Sequence, residues 1–187
     1  AAALDADALE RLVRGVFRHA ARAYAETLRG AAADRDVARR LVVETPAAVD
    51  AAFGAPGPAV YATLHFGSMT GMAAIVAERS RVPVTGPMET LADPELQRLM
   101  LELRSRPRAR IVALADARRV LRAALGRGEA IGVVGDRPIS GGGVATLLFG
   151  LPAVLPIGPA YLALDAGAPL HVGAIRRAGR DYRGRLV

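Results

Sequence analysis

The chain is 187 residues long, 52% hydrophobic and 23% charged, with a formal net charge of +7; that length and apolar content suit one globular domain with a real core and exclude a disordered chain. It has no cysteine, which excludes disulfides, thiolate nucleophiles and Cys-based zinc or iron–sulfur sites, and no lysine, which excludes a Walker-type phosphate lysine, a Schiff-base lysine and a kinase lysine. All the positive charge is arginine and favours anionic partners, yet 4% aromatic content leaves little to stack on bases and no nucleic-acid motif is present, so membrane headgroups and phosphorylated substrates are expected rather than nucleic acid.

Leu9, Leu12, Val13, Val16, Phe17, Ala20, Tyr24 and Leu28 recur at helical spacing, with Asp5 or Asp7 as a cap and Gly30 as a stop. The polar side of this helix carries Arg11, Arg14, Arg18, Arg22 and Arg29. Such a helix either packs its apolar stripe on the core under a solvated arginine face, which is the expectation here, or rests on anionic lipid. A second helix is expected over 33–43, and Thr45-Pro46 reads as the cap and first-turn proline of a short third one ending at Phe53. Residues 1–57 are thus expected to form the helical N-terminal part of a single domain. The chain opens at Ala1 and closes on RDYRGRLV, a strand-like run cut short, so further segments are expected at both ends.

From Pro58 the pattern changes to short apolar runs alternating with helices, the signature of an α/β domain with a largely parallel sheet over 58–187. Strands are expected at 58–64, 82–86, 110–114, 130–135, 145–149 and 169–175. Helices are expected at 68–80, 93–105 and 116–126, with Asp93-Pro94 and Asp116 as start signals and Gly126 as a stop. No residue between Arg137 and Asp165 is charged, a length sufficient for a membrane span. Gly141, Gly142, Gly143, Gly150, Pro152, Pro156, Gly158 and Pro159 would break such a helix. The stretch therefore reads as loop, strand, turn and short helix, with an apolar surface suited to acyl chains.

In open α/β sheets ligands bind beyond the C-terminal ends of the strands, and His65 and Asp136 both fall at such ends. A neutral imidazole there suits a general base, and Asp136 with Arg137 adds a carboxylate and a guanidinium at the next site. His19 and His171 lack such flanks and read as structural or surface residues, and the three histidines have no metal-ligand spacing. Ser68 in HFGSMTG does not fit a nucleophile elbow, because Met69 stands where that motif needs its serine. Gly67 and Ser68 suit the tight turn and N-cap of a helix whose free N–H groups could face a thioester oxygen or a phosphate. The glycine loop after Arg137 could let a phosphate approach the backbone closely.

LHFGSMTG at 64–71 and the run from Val133 to Leu170 together resemble the lipid A biosynthesis acyltransferase family, whose actinobacterial members acylate phosphatidylinositol mannosides. The most specific match is Phe149-Gly150, Pro152-Ala153, Pro156, Gly158-Pro159-Ala160, Ala163 and Gly167-Ala168-Pro169. The similarity runs from about Phe17 to the C-terminus, weak before Pro58 and strong after it. One departure stands out: the family follows its histidine five positions later with Asp or Glu, and this chain has Thr70.

The resemblance implies a lysophospholipid-acyltransferase-like domain on the cytoplasmic face of the plasma membrane, bound peripherally. Its implied activity is transfer of a fatty acyl group from acyl-CoA or acyl-carrier protein to a hydroxyl of a membrane glycolipid, with His65 as base and no metal or redox cofactor. The arginine-only composition makes a phosphatidylinositol mannoside the preferred acceptor over a lipid A precursor. Asp136 is the first candidate to replace the missing acid and Glu89 the second, while the Thr70 hydroxyl could still accept a hydrogen bond from the ring. Arg104 corresponds to a family arginine that contacts the acceptor's headgroup, although Arg106, Arg108 and Arg110 crowd that alignment and leave a solvated basic turn open. Arg137, Ser68 and Thr70 are further substrate-contact candidates, and Phe149, Gly150 and Pro156 are expected beside the acyl-chain tunnel. A competing reading is a lipid-binding homologue that kept the fold and lost the acid.

Overall fold

The computed structural model describes residues 5–54, 56–104, 106–138 and 142–187; Gly141 of the glycine loop lies outside them. Helix α1 (Ala6–Arg29) is capped by Asp5, whose carboxylate accepts from the Ala8 N–H at 2.6 Å, and ends at Gly30 with φ +49°. α2 (Ala31–Arg40) follows at once and stops three residues before the expected end, because Leu41–Val43 forms strand β1 instead. Two of those three residues are valines, stiff at χ1, and the backbone groups of β1 are used in a parallel ladder to the last strand. α3 (Pro46–Gly54) opens at Pro46 as expected, but the Thr45 hydroxyl is not its cap. That hydroxyl bridges to the Leu186 carbonyl and N–H, both at 2.9 Å.

Beyond it strands and helices alternate: β2 (Ala59–Thr63), α4 (Met69–Arg79), β3 (Val84–Met88), α5 (Pro94–Arg104), β4 (Ala109–Ala113), α6 (Ala117–Gly126) and β5 (Ala130–Val134). A two-stranded ribbon follows, β6 (Val144–Leu148) and β7 (Leu151–Leu155), then α7 (Gly158–Ala166), β8 (Leu170–Ala178) and β9 (Asp181–Leu186). Strand β3 begins two residues later than expected, after Pro83, which has no N–H to give a ladder. β7 departs from the expected turn because Pro152 is tolerated in a two-stranded ribbon with free edges. The ribbon's loop is Phe149-Gly150, both at positive φ (+52° and +79°), the requirement of a two-residue hairpin turn.

Seven of these strands form one sheet in the order β1-β9-β8-β2-β5-β3-β4. The run from β8 to β4 is parallel; β9 is antiparallel to β8, and β1 follows β9. Alternation along the central strands divides the core. Tyr61 and Ala130 face one side with Val37, Met72 and Val76 of α2 and α4, while Val60 and Ile131 face the other with Leu121 and Leu125 of α6 and Leu162 of α7.

α1 corrects the expectation of a core stripe. Leu9, Leu12, Val13, Val16, Phe17, Tyr24 and Leu28 are exposed, and its only buried residues are Glu26 and Thr27. The helix docks through its C-terminal turns alone, by a polar face that periodicity of apolar residues does not mark. No helix among the described residues is long and apolar enough to cross a membrane.

Candidate active site

The register of the central strands assembles the site. β2 and β5 are parallel neighbours with Thr63 opposite Val134, and the ladder continues as Gly135 N–H donates to the Thr63 carbonyl at 2.9 Å. One step further, His65 and Asp136 emerge side by side from the two strand ends. The His65 backbone N–H donates to Asp136 Oδ2 at 2.8 Å, and its ring Nδ1 lies 2.6 Å from Oδ1. An ionised carboxylate only accepts, so in the neutral ring Nδ1 carries the proton and the lone pair is on Nε2. Partial burial pushes the Asp136 carboxyl up, but the ring and backbone hydrogen bonds from His65 and its charge outweigh that and hold the group below its usual range.

The turn that carries His65 is built around Gly67, at φ +65° and bridged to β8. A Cβ there would run into the Ile175 carbonyl, the same oxygen that accepts the Ser68 N–H at 2.8 Å. Ser68 is the N-cap of α4, accepting from Gly71 N–H at 3.3 Å, and is 1% exposed. Its hydroxyl donates to Glu26 Oε2 at 2.7 Å, so both its polar groups are spent inside the fold.

Glu26 is the residue that sequence reasoning missed. Only 7% exposed, it accepts from Ser68, from Arg177 Nε at 2.9 Å and from the Tyr182 hydroxyl at 3.0 Å, while Arg177 Nη1 holds the Gly67 carbonyl at 2.9 Å. This buried network ties α1, β8 and β9 to the histidine turn. The one signal in the sequence is that Glu26 is the sole acid between Glu10 and Asp34 on a helix studded with arginine.

Thr70 does not reach for the ring. Its hydroxyl lies 3.3 Å from that of Thr27 on α1, and Nδ1 is already engaged by Asp136. Glu89 is likewise spoken for: Arg137 Nη2 donates to it at 3.2 Å, both side chains being about half exposed. Of the basic run after α5, Arg106 pairs with Asp34 and Arg108 donates to the Ser80 carbonyl at 3.0 Å. Arg104 has no hydrogen-bond or ion-pair partner among the described residues, and burial draws its guanidinium below its ordinary pKa. His171 stacks on Tyr61 at 5.5 Å in β8, and burial lowers its pKa; His19 is exposed on α1.

A cavity of about 180 Å³ lies between α4 and the sheet. The β3–β5 ladder stops after Thr85, and the residues beyond on both strands, Gly86, Pro87, Gly132, Val133 and Val134, line this space with Ala73, Val76 and Ala77 of α4. Thr63 and Thr70, at either end of the histidine turn, also line it with Arg104, Arg106 and Arg110, so a mostly apolar slot joins that turn to three arginines. Phe149 and Gly150 stand apart at the ribbon tip, with Phe149 97% exposed, and Pro156 is half-buried in the turn before α7. None of these three lines the cavity. Among the described residues no group of His, Asp or Glu could hold a metal ion.

Residues 5–185 match the family model described as bacterial lipid A biosynthesis acyltransferase. A comparison with curated proteins gave no match.

Proposed function

The chain belongs to the bacterial lipid A biosynthesis acyltransferase family, and from that premise we propose that it is an O-acyltransferase whose base is His65, oriented by Asp136, moving a fatty acyl group from a thioester to a hydroxyl of a membrane glycolipid. The observation that carries this reading is the 2.6 Å contact between Nδ1 and Oδ1 at adjacent strand ends. Nε2 takes the proton of the acceptor hydroxyl as its oxygen attacks the thioester carbonyl. The tetrahedral adduct then expels the thiolate, which recovers that proton from the imidazolium to leave an ester and a free thiol. Asp136 fixes the tautomer and stabilises the imidazolium formed in between.

The cavity beneath α4 suits the acyl chain, since it is apolar and begins at the histidine turn. Arg104, desolvated and without an anion beside it among the described residues, suits an acidic headgroup. The exposed stripe of α1 and the bare ribbon, with Leu147, Phe149 and Leu151 outward, support peripheral seating on a membrane surface, and the cytoplasmic face is the one proposed because the thioester donors are on that side. The donor is acyl-CoA or acyl-carrier protein, without a metal or redox cofactor, and the arginine-only composition favours a phosphatidylinositol mannoside over a lipid A precursor as acceptor. The competing reading of a lipid-binding homologue rested on Thr70, and a carboxylate on Nδ1 speaks against it.

The test is thiol release from long-chain acyl-CoA in the presence of anionic glycolipid, with the product identified by mass. His65→Ala is expected to abolish release in a variant that still folds, because the partly exposed ring contributes little to packing and only its hydrogen bond to Asp136 is lost. Undiminished turnover in the folded variant would remove His65 from the mechanism. Acyl-CoA bound by the wild type without release would return the lipid-binding reading.

A further inference from the structure

A second concavity, of about 240 Å³, lies between the C-terminal half of α1, the end of α2 and the β8–β9 turn. It shares no lining residue with the cavity under α4. Arg22, Ala25, Glu26 and Arg29 fall at i, i+3, i+4 and i+7, so α1 turns one face into it, with a small alanine leaving room between two guanidiniums. Arg40, Arg177 and Arg180 complete five arginines around one cleft.

Three of the five have structural reasons to be there. Arg177 is ion-paired with Glu26 at 2.7 Å. Arg29 and Arg40 share Asp36, and each sits in the last turn of its helix, where a cation complements the dipole. Arg40 also donates to the Arg180 carbonyl and lies 5.2 Å over the Tyr182 ring. None of these reasons extends to the side chains of Arg22 and Arg180, which are exposed and have no anion partner among the described residues. The lining carries five cations and two carboxylates, Glu26 and Asp181, and Asp36, which is not part of the lining, is shared with Arg39 as well, so an excess of at least two positive charges remains over a concave surface.

We propose that this arginine-lined cleft is a phosphate-binding site. A phosphate carries up to two negative charges and accepts the paired N–H groups of guanidinium forks, so it matches both the charge excess and the donor chemistry of Arg22 and Arg180. The inner wall of the cleft, Glu26 and Arg177, holds Ser68 and Gly67 directly, which puts the bound phosphate one residue layer behind the turn that carries His65. Two carriers offer this chemistry: the diphosphate of a soluble thioester donor and the phosphodiester of an anionic lipid. The site does not depend on the acyl-transfer reading.

The test measures binding of inorganic pyrophosphate and of coenzyme A by calorimetry, and of phosphatidylcholine vesicles with and without phosphatidylinositol by sedimentation. The full chain is compared with Arg22→Ala/Arg180→Ala, Arg104→Ala and His65→Ala. The double variant is expected to weaken pyrophosphate binding about tenfold or more, the loss of at least one charge-assisted hydrogen bond. Arg104→Ala and His65→Ala are expected to bind it as the wild type does, so loss of acyl transfer and loss of the phosphate site are told apart. A parallel loss for coenzyme A assigns the cleft to the donor, and a parallel loss for phosphatidylinositol vesicles assigns it to lipid. Should the double variant fail to fold, Arg22→Glu on the exposed helix face gives the same measurement. No pyrophosphate binding by the wild type, or equal affinity in the folded cleft variants, overturns the proposal.

Discussion

Replacing Asp136 by asparagine removes a charge and leaves the shape, yet it cannot preserve both contacts that the carboxylate makes. Asp136 accepts twice from His65, at Oδ2 from the backbone N–H and at Oδ1 from the ring. An amide has one acceptor oxygen and one donor nitrogen, so it can satisfy only one of these. If it keeps the backbone contact, its NH2 group meets the ring, forces Nδ1 to accept and puts the proton on Nε2, where the base needs a lone pair. If it keeps the ring, the His65 N–H loses its partner and the turn loosens.

In buried triads the wrong tautomer costs about ten-thousandfold in turnover. Here the two side chains keep 34% and 26% of their exposure, so water replaces part of the interaction. The expected loss for Asp136→Asn is therefore about a hundred- to a thousandfold in kcat, roughly 3 to 4 kcal/mol on the barrier, with KM for the thioester little changed. Thiol release under saturating acyl-CoA and glycolipid measures it, with circular dichroism as the folding control. Turnover within about threefold of wild type in a folded Asn variant would refute the assignment of Asp136 as the orienting acid, since no amide can reproduce both contacts.

Because His65 holds the Asp136 carboxyl below its ordinary value, the pair stabilises the fold at and above the usual carboxylate range and loses that contribution as pH falls through the lowered value. The melting-temperature gap between wild type and Asp136→Asn is accordingly expected at neutral pH and should close on acidification; a constant gap would contradict the pairing. Ala77, buried and lining the cavity, tests the acyl slot: Ala77→Leu should shift donor preference toward shorter chains, read from thiol release across a chain-length series, and an unshifted preference would place the chain elsewhere. Thr70→Glu should give no gain in kcat and a lower melting temperature, since its carboxylate would meet the buried Thr27 rather than a free ring nitrogen. A tenfold rise in kcat would show that His65 lacks its acid in the wild type.

The α/β pattern after Pro58 was legible because parallel strands buried on both faces read as unbroken apolar runs, and start and stop signals such as Asp93-Pro94 bounded the helices. What stayed hidden depended on partners distant in sequence. Leu41–Val43 extends in the same residues that continue a helical pattern, and only the β9 edge decides between them. The stripe on α1 announces a core that the fold does not supply, whereas the docking face is the polar pair Glu26 and Thr27. Glu26 contacts residues 42, 151 and 156 positions away, and no local spacing rule reaches that far.

The position of the acid is set by sheet order. In a parallel pair held in register, equal steps beyond the last paired residues stay side by side, so a histidine two residues after Thr63 necessarily faces whatever stands two residues after Val134. A carboxylate on that neighbouring strand end is therefore fixed by the same backbone ladder that fixes the histidine. An acid on α4 must be aimed by a helix packed above the sheet, and that aim depends on how α1, α2 and the turn at Gly67 are seated. With the partner supplied by β5, the side chain at 70 is free to pack, and its hydroxyl serves the α1–α4 contact through Thr27. Under the proposed mechanism the departure at position 70 is therefore a contact between two helices rather than a missing acid.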